Sequence, residues 1–267
     1  MAALLQRVLM EPPLRLIYQK CLRMFPVSLR SMDSWELAPR SHYFTGVHAA
    51  ALQARSEGVQ AITVAEFGVA SGNGLLALEW CAAKVSNGTG VRIDVVGFDS
   101  GEGLPQLCGD YRDHPDRWKT ADYPQDSGTL RKRLKPTTRL LLGNVDHTVD
   151  EFLATKPHPL GFAAMDLDLY SSTKSALRVF TRPNRRQLRR TFLYFDDIDY
   201  VWNHRFAGEL LAIDEFNAEG SGVRIDVWRG LMKGRPFPEQ TWLRKMYVAH
   251  DLEAISAVTL QGPPARK

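Results

Sequence analysis

The sequence predicts an α/β chain built on a doubly wound, mostly parallel seven-stranded sheet, preceded by an N-terminal helical extension. Three observations carry this reading. From about residue 61 onward, short apolar runs of strand length alternate with helix-like segments, the pattern that feeds parallel strands through helical crossovers. Several runs stop at an acid: Glu66, Asp99, Asp166 and Asp196. Acids there fall at strand carboxyl ends, where open α/β sheets bind their ligands. Finally, the stretch ITVAEFGVASGNG, residues 62–74, joins an apolar run to a helix through Gly68, Gly72 and Gly74.

That stretch organises the rest. Residues 62–67 read as a buried parallel strand, and the glycines permit a tight turn whose backbone N–H groups approach a ligand at the next helix's N-terminus. Gly72, Gly74 and Ala77 fit the dinucleotide pattern G-x-G-x-x-G/A, but the fit starts four residues after Gly68 and is weak alone. A second strand over residues 91–99 ends in Asp99, followed by Ser100, and places an acid where it can accept hydrogen bonds from a ribose. With these residues the chain resembles class I S-adenosylmethionine-dependent methyltransferases and their Rossmann-like sheet. The resemblance implies that Glu66 and the glycine loop hold the donor's methionine part while Asp99 holds its ribose.

Upstream, residues 13–25 set Leu14, Ile17, Cys21, Leu22 and Phe25 on one helical face. The expectation is a helix packed on the domain or on a second subunit, making homo-oligomerisation through the N-terminal helices an option; a membrane-surface helix is the alternative. A further helix is expected over 41–54, where His42 and His48 read as packing residues. The extension spans 1–60, the catalytic domain 61–260 and a tail 261–267.

Downstream of Asp99, residues 106–135 form a long polar stretch with interleaved aromatics, read as a lid-like insertion. Third and fourth strands follow at 139–145, with Gly143 near the end, and at 160–165, running into Asp166-Leu167-Asp168. A helix over 171–180 is expected to be capped by Ser171 or Ser172. A fifth strand over 191–195 ends in Asp196-Asp197, and a helix over 205–218 and strands over 223–228 and 241–249 complete the pattern. Five arginines within residues 182–190 suggest a nucleic-acid patch, but a helix-to-strand connection lies opposite the ligand crevice, so a solvated surface loop is favoured.

Composition bounds the function. The chain has 267 residues, 44% of them hydrophobic, and a net charge of +4 from 34 basic and 30 acidic residues. That is enough apolar content for one large domain and too little basic excess to imply nucleic acid. Cys21, Cys81 and Cys108 form no C-x-x-C pair, so a cytoplasmic protein without a disulfide framework or zinc cluster is expected. No apolar run reaches the roughly 20 residues of a membrane helix, and no stable membrane insertion is expected.

Asp166/Asp168 and Asp196/Asp197 end neighbouring strands in the methyltransferase order, so four carboxylates would converge. Such a cluster repels itself unless neutralised, and an all-oxygen set suits Mg²⁺. Alternatively, each pair merely caps a helix. The segments EFGVASGNG, FDSGEGLP, LLLGNV, MDLDLYSSTKSAL and YFDDI are similar, in order and spacing, to the macrocin-type O-methyltransferases, which methylate sugars of antibiotics. This resemblance covers residues 64–216. It implies that Asp166, Asp196 and Asp197 hold Mg²⁺ and that Asp168 is the catalytic base. The donor site it implies takes in Glu66, Gly68, Gly72, Gly74, Asp99, Ser100, Gly143 and Asp166. The expected activity is a Mg²⁺-dependent O-methyltransferase with a sugar or glycosylated natural product as acceptor. The alternatives are a metal-dependent nucleotide-sugar glycosyltransferase, which leaves the glycine loop unexplained, an NAD-dependent oxidoreductase, which leaves Asp196 and Asp197 idle, and a non-catalytic scaffold.

Overall fold

A computed structural model of the chain describes residues 14–123 and 126–259. Seven strands form one sheet in the order β3-β2-β1-β4-β5-β7-β6. They are β1 (Ala61–Phe67), β2 (Arg92–Asp99), β3 (Arg139–Leu142), β4 (Leu160–Met165), β5 (Gln187–Phe195), β6 (Val223–Val227) and β7 (Met246–Asp251). The first five run parallel, and β7 pairs antiparallel with both β5 and β6. This is the doubly wound, mostly parallel Rossmann-like sheet expected. Leaving β1, the chain winds out to β3 and returns to β4 beside β1. The crossovers therefore diverge between β1 and β4, which opens a crevice at their carboxyl ends.

Nine α-helices lie in the described residues: α1 (Leu14–Leu22), α2 (Leu29–Ser34), α3 (Ser41–Ser56), α4 (Asn73–Thr89), α5 (Ser127–Arg133), α6 (Val145–Ala154), α7 (Tyr170–Leu177), α8 (Gly208–Ala218) and α9 (Leu252–Ser256). Both sheet faces are covered, which is why β1 and β4 are almost wholly apolar. Ile62, Val64, Phe162 and Ala164 pack with Tyr43, Phe44 and Val47 of α3 and Leu75 and Leu78 of α4. Ala65, Phe67, Ala163 and Met165 pack on the opposite side with Phe152, Leu177 and Phe216. Phe67 and Phe98 stack with centroids 4.4 Å apart. Each such fully buried ring contributes on the order of 2 to 3 kcal/mol.

Several expectations are revised. Helix α3 carries Tyr43, Phe44, Val47, Ala50, Ala51 and Ala54 with no exposed surface, so the packing runs straight across the 60/61 boundary. Helix α1 docks largely through polar side chains, with Leu22 of its apolar stripe against the core. Arg15 bonds Glu36 at 2.6 Å and lies over Phe237, and the Gln19 amide donates to the Trp35 carbonyl at 2.9 Å. Leu14, Ile17 and Phe25 remain exposed, because the adjoining groove offers acceptors and aromatic faces that polar side chains satisfy better. Strand β5 begins at Gln187 and absorbs Arg189 and Arg190. Arg182 pairs with Asp146 and Asp150, and Arg189 with Glu57. The arginine-rich stretch lies away from the crevice, as favoured, but several of its cations are held in ion pairs. Residues 241–245 form a 3-10 turn ahead of β7. His42 is a packing group, stacked 4.2 Å from the Tyr194 ring, and burial pushes its pKa down to about 3. The tail 261–267 and residues 1–13 lie outside the described residues.

Candidate active site

A cleft of about 1090 Å³ opens at the carboxyl ends of β1, β2, β4 and β5. Its walls include Glu66, Gly68, Gly74, Asp99, Ser100, Gly143, Asp166, Asp168, Asp196 and Asp197, bringing together ten of the eleven site residues read from the sequence. Gly72 is not on the wall. It is the left-handed N-cap of α4, at φ 82°, and Leu130 of α5 fills the space a Cβ would take. Its glycine is thus required by the turn and by the packing of the lid.

The β1–α4 loop is held by close packing and by hydrogen bonds within the protein. Gly68 has φ 83°, and a Cβ there would overlap the Asp166 carbonyl oxygen, since the Asp166 N–H donates to the Phe67 carbonyl at 2.9 Å. A Cβ at Gly74 would overlap Glu66 Oε1. The Asp99 carboxylate takes the Val69 and Ala70 N–H groups on Oδ2 at 2.8 and 2.9 Å, and the Gly101 N–H on Oδ1 at 2.7 Å. It therefore braces the loop as well as facing the cleft. A carboxylate has about four lone-pair sites, so acceptor capacity remains. Glu66 is 1% exposed and accepts the Tyr43 hydroxyl at 2.5 Å. Burial pushes its pKa up to about 8. Its Oε2 is buried without a partner.

On the other side, ligand atoms of Asp166, Asp196 and Asp197 all lie within 4.8 Å of one another. Burial, then the neighbouring carboxylates, pushes Asp166 up to about 7 and Asp197 up to about 8. Asp168, at φ 61°, is raised to about 7 by burial and by Asp166. Its left-handed backbone follows from the sharp turn between β4 and α7, a conformation Asp tolerates better than most residues. Asp197 Oδ2 is a buried acceptor without a partner. Convergent carboxylates with an orphaned oxygen and little neutralisation are a donor set that fits a hard divalent cation.

Residues outside the sequence reading support these acids. The Tyr194 hydroxyl donates to Asp196 Oδ1 at 2.5 Å, and Lys245 Nζ donates to the Asp196 carbonyl at 2.6 Å. The Asp197 N–H donates to Glu209 Oε2 at 3.1 Å, and the Asn203 amide to the Asp197 carbonyl at 2.9 Å. Glu209 is wholly buried and its pKa raised, foremost by that burial. Arg40, at the start of α3, also lines the cleft. Arg40, Glu209 and Lys245 lie outside the motifs in sequence, so no local signal exposes them, whereas Tyr194 belongs to the YFDDI segment and only the fold shows its bond to Asp196.

The lid-like stretch 106–135 is more ordered than its polarity suggests. A 3-10 turn, Tyr111–Asp113, and helix α5 give it two anchors. Asp113 is fully buried and accepts the Ser171 N–H and the Cys108 N–H at 2.8 and 2.6 Å. The cap of α7 is therefore supplied by the lid, in place of the local cap expected from Ser171 or Ser172; the N-cap position itself is Leu169. Trp118 and Tyr123, between these anchors, face the cleft, as do Tyr200 and Trp202 in the connection after β5.

Neither a known protein family nor a curated protein matches the chain. Among solved structures it is similar to CalS11, a calicheamicin methyltransferase, at 20% identity with a TM-score of 0.49, covering 82% of this chain and 90% of that one. The apo structure of CalS11, described as a TDP-rhamnose 3'-O-methyltransferase of calicheamicin biosynthesis, is similar at 20% identity with a TM-score of 0.41, covering 81% and 88%.

Proposed function

We propose that the protein is an S-adenosylmethionine-dependent, Mg²⁺-dependent O-methyltransferase acting on a hydroxyl of a sugar or glycosylated natural product. The observation that carries this is the meeting, in one cleft, of the braced glycine loop with Glu66 and Asp99 on one side and the Asp166, Asp196 and Asp197 cluster on the other. A donor lying along the loop would place its ammonium group near the orphaned Glu66 oxygen and its ribose near Asp99. Its methyl group would then face the acids.

Asp166, Asp196 and Asp197 would hold Mg²⁺, which when bound supplies a Lewis acid that lowers the pKa of an acceptor hydroxyl. Asp168 stands beside the cluster with a pKa raised to about 7, close to the operating pH as a general base requires. It would take the proton of the acceptor hydroxyl, and the donor when bound would supply the methyl group, its sulfur leaving as a thioether. Tyr194 and Lys245 orient Asp196, and Glu209 and Asn203 fix the backbone of Asp197. Trp118 and the lid restrict water over the site.

No helix among the described residues is long and apolar enough to cross a membrane. Three cysteines without a disulfide support a reducing, cytoplasmic setting. Thermal shift with S-adenosylhomocysteine, NAD and UDP, each with and without Mg²⁺, tests the assignment. S-Adenosylhomocysteine should stabilise strongly; stabilisation by NAD alone would overturn the reading.

A further inference from the structure

The cleft contains a cation that the proposed chemistry does not use. Arg117 is exposed in the lid, with its guanidinium carbon 4.2 Å from the Trp202 ring centroid and 5.3 Å from that of Trp118. Among the described residues it has no ion pair. Most other arginines near the cleft and lid are engaged: Arg112 with Asp110, Arg205 with Asp214 and Arg235 with Asp33. Arg40, the other arginine on the cleft wall, reaches the Tyr43 hydroxyl at 3.4 Å and lies in the field of Glu66, Asp166 and Asp196.

We propose that Arg117 is an anion-binding residue of the acceptor half of this cleft, and that the acceptor is a sugar bearing an oxyanion group. The inference rests on the methyl-transfer reading for the word acceptor, but the anion site stands on its own geometry. The two indoles hold the guanidinium by cation–π contact, which uses none of its N–H donors in an ion pair. A planar fork matches a phosphate or carboxylate with two oxygens, where a lysine would offer only a point charge. The bracket is tied on both sides. Trp202 stacks on Tyr200 at 4.8 Å, and Tyr200 lies under Lys245, which in turn holds Asp196. Trp118 packs against Tyr123 at 6.2 Å, and Tyr123 lies within electrostatic reach of Arg117, Asp168 and Asp197 together. One bound molecule can therefore meet the fork with its anion and the acid cluster with a hydroxyl.

Intrinsic tryptophan fluorescence and calorimetry would measure binding of UDP, glucose 1-phosphate, glucuronate and methyl glucoside to the full chain with Mg²⁺ and S-adenosylhomocysteine present. At least one of the three anions should bind about tenfold or more tighter than methyl glucoside, a preference of the size one charge-assisted contact supplies. Which anion binds identifies phosphate or carboxylate as the source. Arg117→Gln should abolish that preference and change methyl glucoside binding less than about twofold. Arg117→Met, which keeps the stem against the indoles, should behave in the same way. Anions that bind no tighter than methyl glucoside, or that keep their preference in both variants because Mg²⁺ alone holds them, would overturn the proposal. Calorimetry with S-adenosylhomocysteine in the same samples decides the methyl-transfer reading separately. If it does not bind, the anion series run without it still decides the role of Arg117.

Discussion

The carboxylate of Asp113 closes the amino end of the helix that begins two residues after Asp168, taking the Ser171 N–H on one oxygen and the Ser171 hydroxyl on the other, each at 2.8 Å. A lid residue thus fixes the turn that follows Asp168. Asp113→Ala leaves these donors and the Cys108 N–H without their acceptor and should cost about 1 to 3 kcal/mol. Chemical denaturation should register that loss. Hydrogen exchange should become faster at residues 108–123 and at the start of α7 before it does so in β1. Unchanged protection of both segments would show that the lid is anchored elsewhere.

Gly68 and Asp166 test the loop. Gly68→Ala places a Cβ on the Asp166 carbonyl and forces a positive φ on an L-residue, so it should lower stability by more than 1 kcal/mol and shift Asp166. The matching change at Gly109, which also has a positive φ but no atom within 4 Å of a Cβ, should cost only the backbone strain. Thermal midpoints of the two variants compare the effects directly; equal losses would mean that the Asp166 contact contributes nothing.

Asp99 braces the loop through three N–H groups and faces the cleft. Asp99→Asn keeps the size but removes charge, so S-adenosylhomocysteine affinity should fall by about 1.5 to 3 kcal/mol. Calorimetry of wild type and variant gives the difference, and an unchanged affinity removes Asp99 from the donor site.

The acid cluster should make stability depend on pH and, as a Mg²⁺ site, on metal. Asp166, Asp168 and Asp197 have folded pKa values raised to about 7, 7 and 8. Raised carboxyls bind protons more tightly in the folded state. Their contribution to stability is therefore present at low pH and lost as pH rises from about 4 through 7 to 8. Mg²⁺ competes with those protons, so its stabilising effect should grow from pH 6 to pH 8. A thermal shift with Mg²⁺ that is flat over this range, or larger at pH 6, contradicts the metal assignment.

The acids should also divide their labour. Asp196→Asn should raise the Mg²⁺ concentration needed for turnover while leaving S-adenosylhomocysteine affinity nearly intact. Asp168→Asn should keep the metal response and lose about 10² to 10⁴ in kcat. Activity at full rate in EDTA would return these acids to a structural role.

The sheet, its winding and the two acidic edges of the cleft were legible in the chain, because a parallel strand buried on both faces must be an uninterrupted apolar run and the first polar residue after it marks the carboxyl end. ITVAEF, LGFAAM and TFLYF each announce a central strand in this way, with Glu66 one residue before the end of β1 and Asp166 and Asp196 directly after β4 and β5. The glycines were legible as turns, although Gly72 faces Leu130 and not the cleft. Tertiary structure alone decided which side of α1 docks, because that depends on the acceptors and rings offered by Glu36, Trp35 and Phe237. It also decided what supports the acids. Tyr43, Glu209 and Lys245 reach Glu66, Asp197 and Asp196 across 23, 12 and 49 residues, and such contacts have no period or local propensity to betray them. The lid follows the same logic: its polar sequence reads as loop, and only the burial of Asp113 under α7 and of Leu130 against Gly72 gives it a fixed place.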